Sequence, residues 1–419
     1  MKTKLMLILA LTGLTAVYAG REIVYERQSV DAFYRLPVAD PTTIFDSTFQ
    51  YDQQSLLWEP TTNATSTVTH MPNESSIKMD VTSTNDIVAL QTRQYHRYQP
   101  GKSQNIYMTF SFGAAQAGTV KRVGYFDAQN GIFLEQATNG IINIVKRSYV
   151  SGQVVETRVP QSQWNTDKLT GNVPSYVTMD WTKALILVID LQWLGVGNVR
   201  VGFAGGPYRD GLWWAHEFQH AGLQSTTYMT TASLPLRYEL SSTGSAGTMR
   251  AICSAVVSSG GVEEGRGYLF SAANVLDVAA TTSPVCSIAI RPKQTFNGVV
   301  NRTTLIPLDV ELLGGANPIY YELRYGDTLT SASWVSADAN SVTEYSTNAV
   351  VSVAGRLIEA GFVPASGGVT RNVTTKGVDT RLPLVLDSTG SNAIPMTVIV
   401  RTTTGNANTR SSIGWREMR

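Results

Sequence analysis

Apolar and polar positions alternate along most of this chain, most clearly from Ala184 to Phe203. Leu185 to Ile189 is an unbroken apolar run, rich in β-branched residues and too short to span a membrane as a helix. It predicts a central strand covered on both faces. Gly195 and Gly197 interrupt the run, and Val199, Val201 and Phe203 resume it at period two, with Arg200 and Gly202 on the other side. That is the pattern of a β-hairpin. Arg122 to Glu135 repeats it, with Val123, Tyr125 and Phe126 before an Asp-Ala-Gln-Asn-Gly turn and Ile132, Phe133 and Leu134 after it. In Gln104 to Phe112, Ile106, Met108 and Phe110 share one face. No segment of useful length keeps a helical period, so the expected fold is all-β, built as two antiparallel β-sandwich domains.

Composition shifts place the boundaries. Residues 1–20 form a signal-like or assembly-embedded segment: Lys2 and Lys4 precede an apolar run, and Val17-Tyr18-Ala19 offers small residues for cleavage near Ala19. Residues 21–44, with Pro37 and Pro41, read as an N-terminal arm. Residues 45–260 carry the first sandwich, with Met249 to Val257 as its last strand. Residues 261–286 show no clean period and read as a connector, and 287–419 carry a second sandwich with strands such as Leu305 to Leu313, Ile319 to Tyr325 and Met396 to Thr402.

Charge narrows the function classes. Lys and Arg number 33 against 32 Asp and Glu, so nothing favours a phosphate backbone, and no nucleic-acid partner is expected. The two cysteines, Cys253 and Cys286, are compatible with a disulfide in an oxidising compartment or with two separate core thiols. No cofactor motif is present: no Gly-rich phosphate loop, no CxxC and no Gly-x-Ser-x-Gly occur in the sequence.

One stretch does match a catalytic signature. His216-Glu217-Phe218-Gln219-His220 fits H-E-x-x-H, in which two imidazoles one helical turn apart share a zinc ion and the glutamate activates water. Gly211 and Gly222 confine this stretch, and its alternation is that of a strand. At about 3.3 Å per residue the two histidines would then stand roughly 13 Å apart, too far to share a metal bound at about 2 Å. The motif reads as a decoy and no metal site is expected, with a zinc hydrolase as the least favoured alternative. A glycosidase carboxylate pair is also not apparent: Glu-x-Asp-x-x-Glu is absent, and Asp190 has no flanking carboxylate at that spacing. Aromatic residues offer more. Trp181, Trp213 and Trp164 are the candidates for glycan or partner contact, because exposed indoles on a sandwich stack on sugar rings or fill a partner's pocket.

Several runs in one order carry a resemblance. RYQPGKSQNIYMTFSFG (97–113), RVGYFDAQNGIFLE (122–135), VPQSQWNTDKL (159–169), IDLQWLGVGNVRVGF (189–203), HEFQHA (216–221) and LPLRYEL (234–240) resemble a family of structural proteins of tailed bacteriophages. IRPKQTFNGVVNR (290–302), NPIYYELRYGDTLT (317–330) and GWREMR (414–419) resemble its second domain. The resemblance implies a concanavalin-like jelly-roll in a non-enzymatic virion component, a head decoration, head fibre or tail-fibre subunit displayed on the virion surface. Its implied partners are other virion proteins and further copies of itself. The alternative is a glycan-binding adsorption module, secreted or virion-borne, that takes a host-surface glycan.

Overall fold

A computed structural model describes residues 30–35, 39–63, 65–205, 211–261, 267–365, 370–374 and 384–419. The signal-like segment 1–20 lies outside them. The chain divides into two units, the first of Met1–Gln53, Pro60–Leu90 and Tyr98–Val262, the second of Gln54–Glu59, Gln91–Arg97 and Glu263–Arg419. Both are antiparallel β-structures, and the described residues contain no α-helix.

In the first unit the apolar run becomes the centre of a sheet. Its strand order is β13 (Leu212–Phe218), β12 (Val199–Ala204), β11 (Ala184–Leu191), β6 (Gln104–Ser111), β15 (Gly247–Ser259), β4 (Ser76–Val81) and β3 (Thr67–Met71), with β1 (Pro41–Thr48) also paired to β15. Ile189 lies opposite Ile106 on β6 and Val201 on β12, and Leu187 opposite Met108 and Phe203. All six are sealed from solvent. The second sheet runs β10 (Val155–Pro160), β9 (Ile142–Ser148), β8 (Gly131–Gln136), β7 (Thr119–Phe126), β14 (Leu236–Ser242), β5 (Ile87–Thr92) and β2 (Trp58–Thr62). Its inward residues Val123, Leu134, Ile144 and Tyr238 are fully buried. Tyr238 Oη donates across to the carbonyl of Thr109 on the first sheet at 3.0 Å, so its one polar atom is satisfied inside the core. The result is a two-layer sandwich.

Lys121 is the exception to an apolar interior. It is fully buried on β7, and its ammonium donates to the carbonyls of Phe112 and Ala114, which lowers the cost of burying the charge. Burial pushes its pKa down to about 8.

The second unit has a four-stranded sheet in the order 268–280, 407–418, 304–313, 370–374, and a six-stranded sheet in the order 335–336, 343–346, 285–292, 396–402, 319–325, 356–363. Ile288, Leu305, Val398 and Trp415 belong to its core. Glu417 is fully buried; it accepts hydrogen bonds from Ser341 Oγ at 2.5 Å, the Val342 amide at 3.0 Å and Thr343 Oγ1 at 2.8 Å.

Two segments differ from the sequence reading. Tyr268–Ala280, inside the expected connector 261–286, is a 13-residue strand. Its partner register slips between Asn274 and Val278, so the alternation that identifies strands is broken midway. The arm expected over 21–44 gives way at Pro41, where β1 begins. Cys253 and Cys286 are free thiols, one in each unit, so the disulfide considered from sequence is not formed. Burial pushes the Cys286 thiol up to about 12.

Candidate functional site

A single register slip creates the cleft on the first unit. Along β12 and β13, Phe203 faces Trp213, Gly202 faces Trp214, Val201 faces His216 and Arg200 faces Glu217. Ala215 is therefore the extra residue of a β-bulge. A regular strand would put Trp214 and His216 on one face; with the bulge, His216 and Trp213 share the core side of Val201 and Phe203, while Trp214 and Glu217 come together on the outer face. The bulge also frees the Ala215 carbonyl, which accepts from the amides of Thr166 and Asp167, both at 3.1 Å. Asn165 completes the docking: its side-chain oxygen accepts from the Glu217 amide at 2.9 Å and its Nδ2 donates to the Glu217 carbonyl at 2.9 Å. The loop thus takes the place of a neighbouring strand along the β13 edge.

Tyr34, Asn165, Thr166, Arg200, Trp214, Glu217 and Gln219 line a cleft of about 200 Å³. That is small beside the roughly 300–1,000 Å³ of pockets for drug-sized ligands, and suits one ring better than a long chain. Arg200 lies over the Trp214 ring with its guanidinium carbon 4.4 Å from the centroid. Beneath, Arg200 Nη2 donates to Asp190 Oδ2 at 2.7 Å, and Ser103 Oγ donates to the other oxygen of that carboxylate. Both partners are over nine-tenths buried. Burial pushes the Asp190 carboxyl up, with Arg200 and Ser103 pulling against it. Glu217 is half-buried and open to the cleft; its Oε1 accepts from Asn198 Nδ2 at 3.1 Å and its Oε2 from Tyr34 Oη at 2.9 Å.

Gly202 makes the geometry possible. A Cβ there would stand 2.4 Å from the Trp213 carbonyl oxygen and 3.0 Å from a ring carbon of Trp214. Gly202→Ala is accordingly expected to push β13 outward, at a cost of about 1–3 kcal/mol in urea unfolding, with a shift in tryptophan emission. An unchanged unfolding midpoint and spectrum would reject this close approach.

Of the residues singled out from sequence, Glu217 lines the cleft and Asp190 lies beneath it, while the three tryptophans lie elsewhere. Trp164 is buried, with its ring centroid 6.0 Å from Trp181 and 6.1 Å from Phe203. Trp181 is half-buried and donates to Gln161 at 3.2 Å. Trp213 faces the core opposite Phe203. The cleft instead uses Trp214, next in sequence to Trp213. Within His216-Glu217-Phe218-Gln219-His220, each imidazole has its own protein partner: His216 Nδ1 accepts from the Asn165 amide at 3.3 Å, and His220 Nδ1 donates to the Gly197 carbonyl at 2.7 Å. Lys146 Nζ donates to His220 Nε2 at 3.1 Å. Burial pushes both histidines down to about 4, so both are neutral near pH 7.

A group of carboxylates lies on the outer face of the second sheet. Arg122 bridges Glu135 at 2.9 Å and Glu239 at 2.6 Å, Arg158 reaches Glu135 at 2.9 Å, and Arg147 pairs with Glu156 at 2.6 Å while covering the Phe133 ring. Burial acts to raise the Glu239 carboxyl, but Arg237 and Arg122 outweigh it and hold the group below the usual range. A general acid needs the opposite shift. These carboxylates stabilise the sheet.

No protein-family profile matches this chain, and no curated protein does. Solved structures do. A glycosyl hydrolase family protein from Mycobacterium fortuitum aligns at 10% identity and a TM-score of 0.33, over 51% of this chain and 99% of its own. A glycoside hydrolase family 16 endo-glucanase from Bacteroides ovatus aligns at 7% and 0.34, over 51% and 99%. A structure described with endo-acting O-glycanases of the human gut microbiota aligns at 13% and 0.35, over 52% and 99%. The expectation of a non-enzymatic virion component is corrected by this finding, because the similar structures are glycoside hydrolases and none of the three is a virion protein. At these scores the likeness transfers no residue role or substrate to this chain.

Proposed function

We propose that the first unit is a carbohydrate-active module and that its cleft holds one sugar ring of a neutral saccharide. The observation that carries this reading is the bulge-dependent meeting of the Trp214 indole and the Glu217 carboxylate on one outer face. An indole offers an apolar plate to the C–H face of a pyranose. A carboxylate accepts hydrogen bonds from its hydroxyls, and the amides of Asn165 and Gln219 can both donate and accept. Among the described residues the cleft lining holds one cation and one carboxylate, and Arg200 is already paired with Asp190, so these residues offer no surplus charge to an ionic ligand.

The test is a glycan array, including β-1,3-glucan and mucin O-glycans, read for binding and for release of reducing ends. Trp214→Ala and Glu217→Gln are each expected to weaken the captured glycan by at least about tenfold, the equivalent of 1.4 kcal/mol, without lowering the unfolding midpoint of the first unit. A glycan held equally well by both variants, or none captured or cleaved by the wild type, would overturn the reading.

A further inference from the structure

Residues 30–35 form a strap across the cleft. Asp31 closes it on itself: its Oδ1 accepts from the amides of Phe33 at 2.9 Å and Arg35 at 3.0 Å, and its Oδ2 from Arg35 Nε at 2.8 Å. This leaves Tyr34 in the left-handed backbone region, at φ +60°, an uncommon conformation for a bulky residue. The strap docks through main-chain carbonyls, with Arg200 donating to Val30 and Asn198 Nδ2 to Ala32 at 3.4 Å, and through two side chains, with Gln192 Nε2 donating to Asp31 Oδ2 at 3.2 Å and Arg35 Nη2 donating to the Gly101 carbonyl at 3.3 Å. Only Tyr34, still 51% exposed, reaches into the cleft by its side chain, where its hydroxyl donates to Glu217 at 2.9 Å.

The fit is incomplete. Arg200 is 4% exposed, yet its Nε has no hydrogen-bond partner beneath the strap. A buried guanidinium N–H without an acceptor is costly, and an occupant that supplied one would bind this surface better than the strap does. The strained tip, the hydroxyl on the cleft's carboxylate and the orphaned donor all describe a stand-in for something else.

We infer that Tyr34 is a built-in competitor, holding the Glu217 acceptor until a saccharide hydroxyl takes it and the strap is released. The inference rests on the saccharide reading of the cleft. A ligand shifts the strap only by its differential affinity for the open form, so removing the competing hydroxyl raises apparent affinity.

The experiment compares wild type with Tyr34→Phe, which keeps the ring and removes the hydroxyl. Amide exchange of a peptide spanning 30–35 is measured by mass spectrometry without ligand and with laminaritriose, whose binding is read by tryptophan fluorescence. Tyr34→Phe is expected to speed strap exchange in the absence of ligand and to bind laminaritriose about tenfold more tightly, and saturating laminaritriose should speed strap exchange in the wild type. Exchange unchanged by Tyr34→Phe, or binding equal to or weaker than wild type, overturns the inference. Wild-type binding with a strap that becomes protected overturns the competitor role while leaving the cleft reading intact. Binding by neither form overturns both.

Discussion

Ile189→Asp is expected to leave no folded first unit. Ile189 is fully buried at the centre of β11, between Ile106 and Val201 on the flanking strands, and no cation faces it across either pairing. The substitution forfeits about 1.5–3 kcal/mol of side-chain burial. It also places a carboxyl where it must stay charged and unpaired or take up a proton, each costing several kcal/mol more. A domain of this size has roughly 5–15 kcal/mol to lose. Ile189→Val, which removes one methylene, is expected to cost only about 0.5–1.5 kcal/mol and serves as the control. Soluble yield and urea unfolding decide the matter: recovery of Ile189→Asp with an unchanged midpoint would show that β11 is not the central strand.

The second large effect is on acid stability. His216 and His220 are buried and held down to about 4 by that burial, against an ordinary value of 6.5. The unfolded chain therefore binds their protons first as pH falls. Their contribution is fully present above about pH 6.5 and is lost as pH falls through about 4. At about 1.4 kcal/mol per pKa unit, each histidine accounts for a loss on the order of 3 kcal/mol over that window. The same sign applies to Glu156 and Glu239, also held low, whose contribution disappears below the ordinary carboxylate range. Urea midpoints of the first unit should fall steadily from pH 6.5 to 4.5, and less steeply in His216→Gln and His220→Gln. A flat wild-type profile over that range would reject the buried neutral histidines.

Much of the fold is legible in period two. The hairpins at 122–135 and 184–203 form β7–β8 and β11–β12 because each sets two apolar strand runs on either side of turn residues. Where alternation is interrupted, the pattern misleads. Tyr268–Ala280 reads as a connector because its register slips midway. Trp415, within the run GWREMR, is fully buried in the second unit's core, on a strand whose partners lie about a hundred residues or more away. The cleft escapes the sequence for the same reason on a smaller scale. Trp213 reads as the outward indole because nothing in Leu212 to His220 marks Ala215 as supernumerary, and Tyr34 and Asn165 enter from segments far removed in sequence. Two local hints are Glu217, which the sequence motif singles out for other chemistry, and Gly202, whose missing side chain leaves room for an aromatic ring opposite.

Ala215 acts as a phase shifter. Everything before it on β13 is in step with one assignment of inside and outside, and everything after it with the other, so removing this small residue would leave composition and mean hydropathy nearly unchanged while turning Trp213 and Trp214 over. Because β13 is the last strand of its sheet, such a change disturbs one ladder and leaves the centre alone. What this surface displays to the outside is thus set by a residue count at the margin of the sheet, where chains can gain or lose a position cheaply, and the chemistry presented there is free to diverge on an unaltered scaffold.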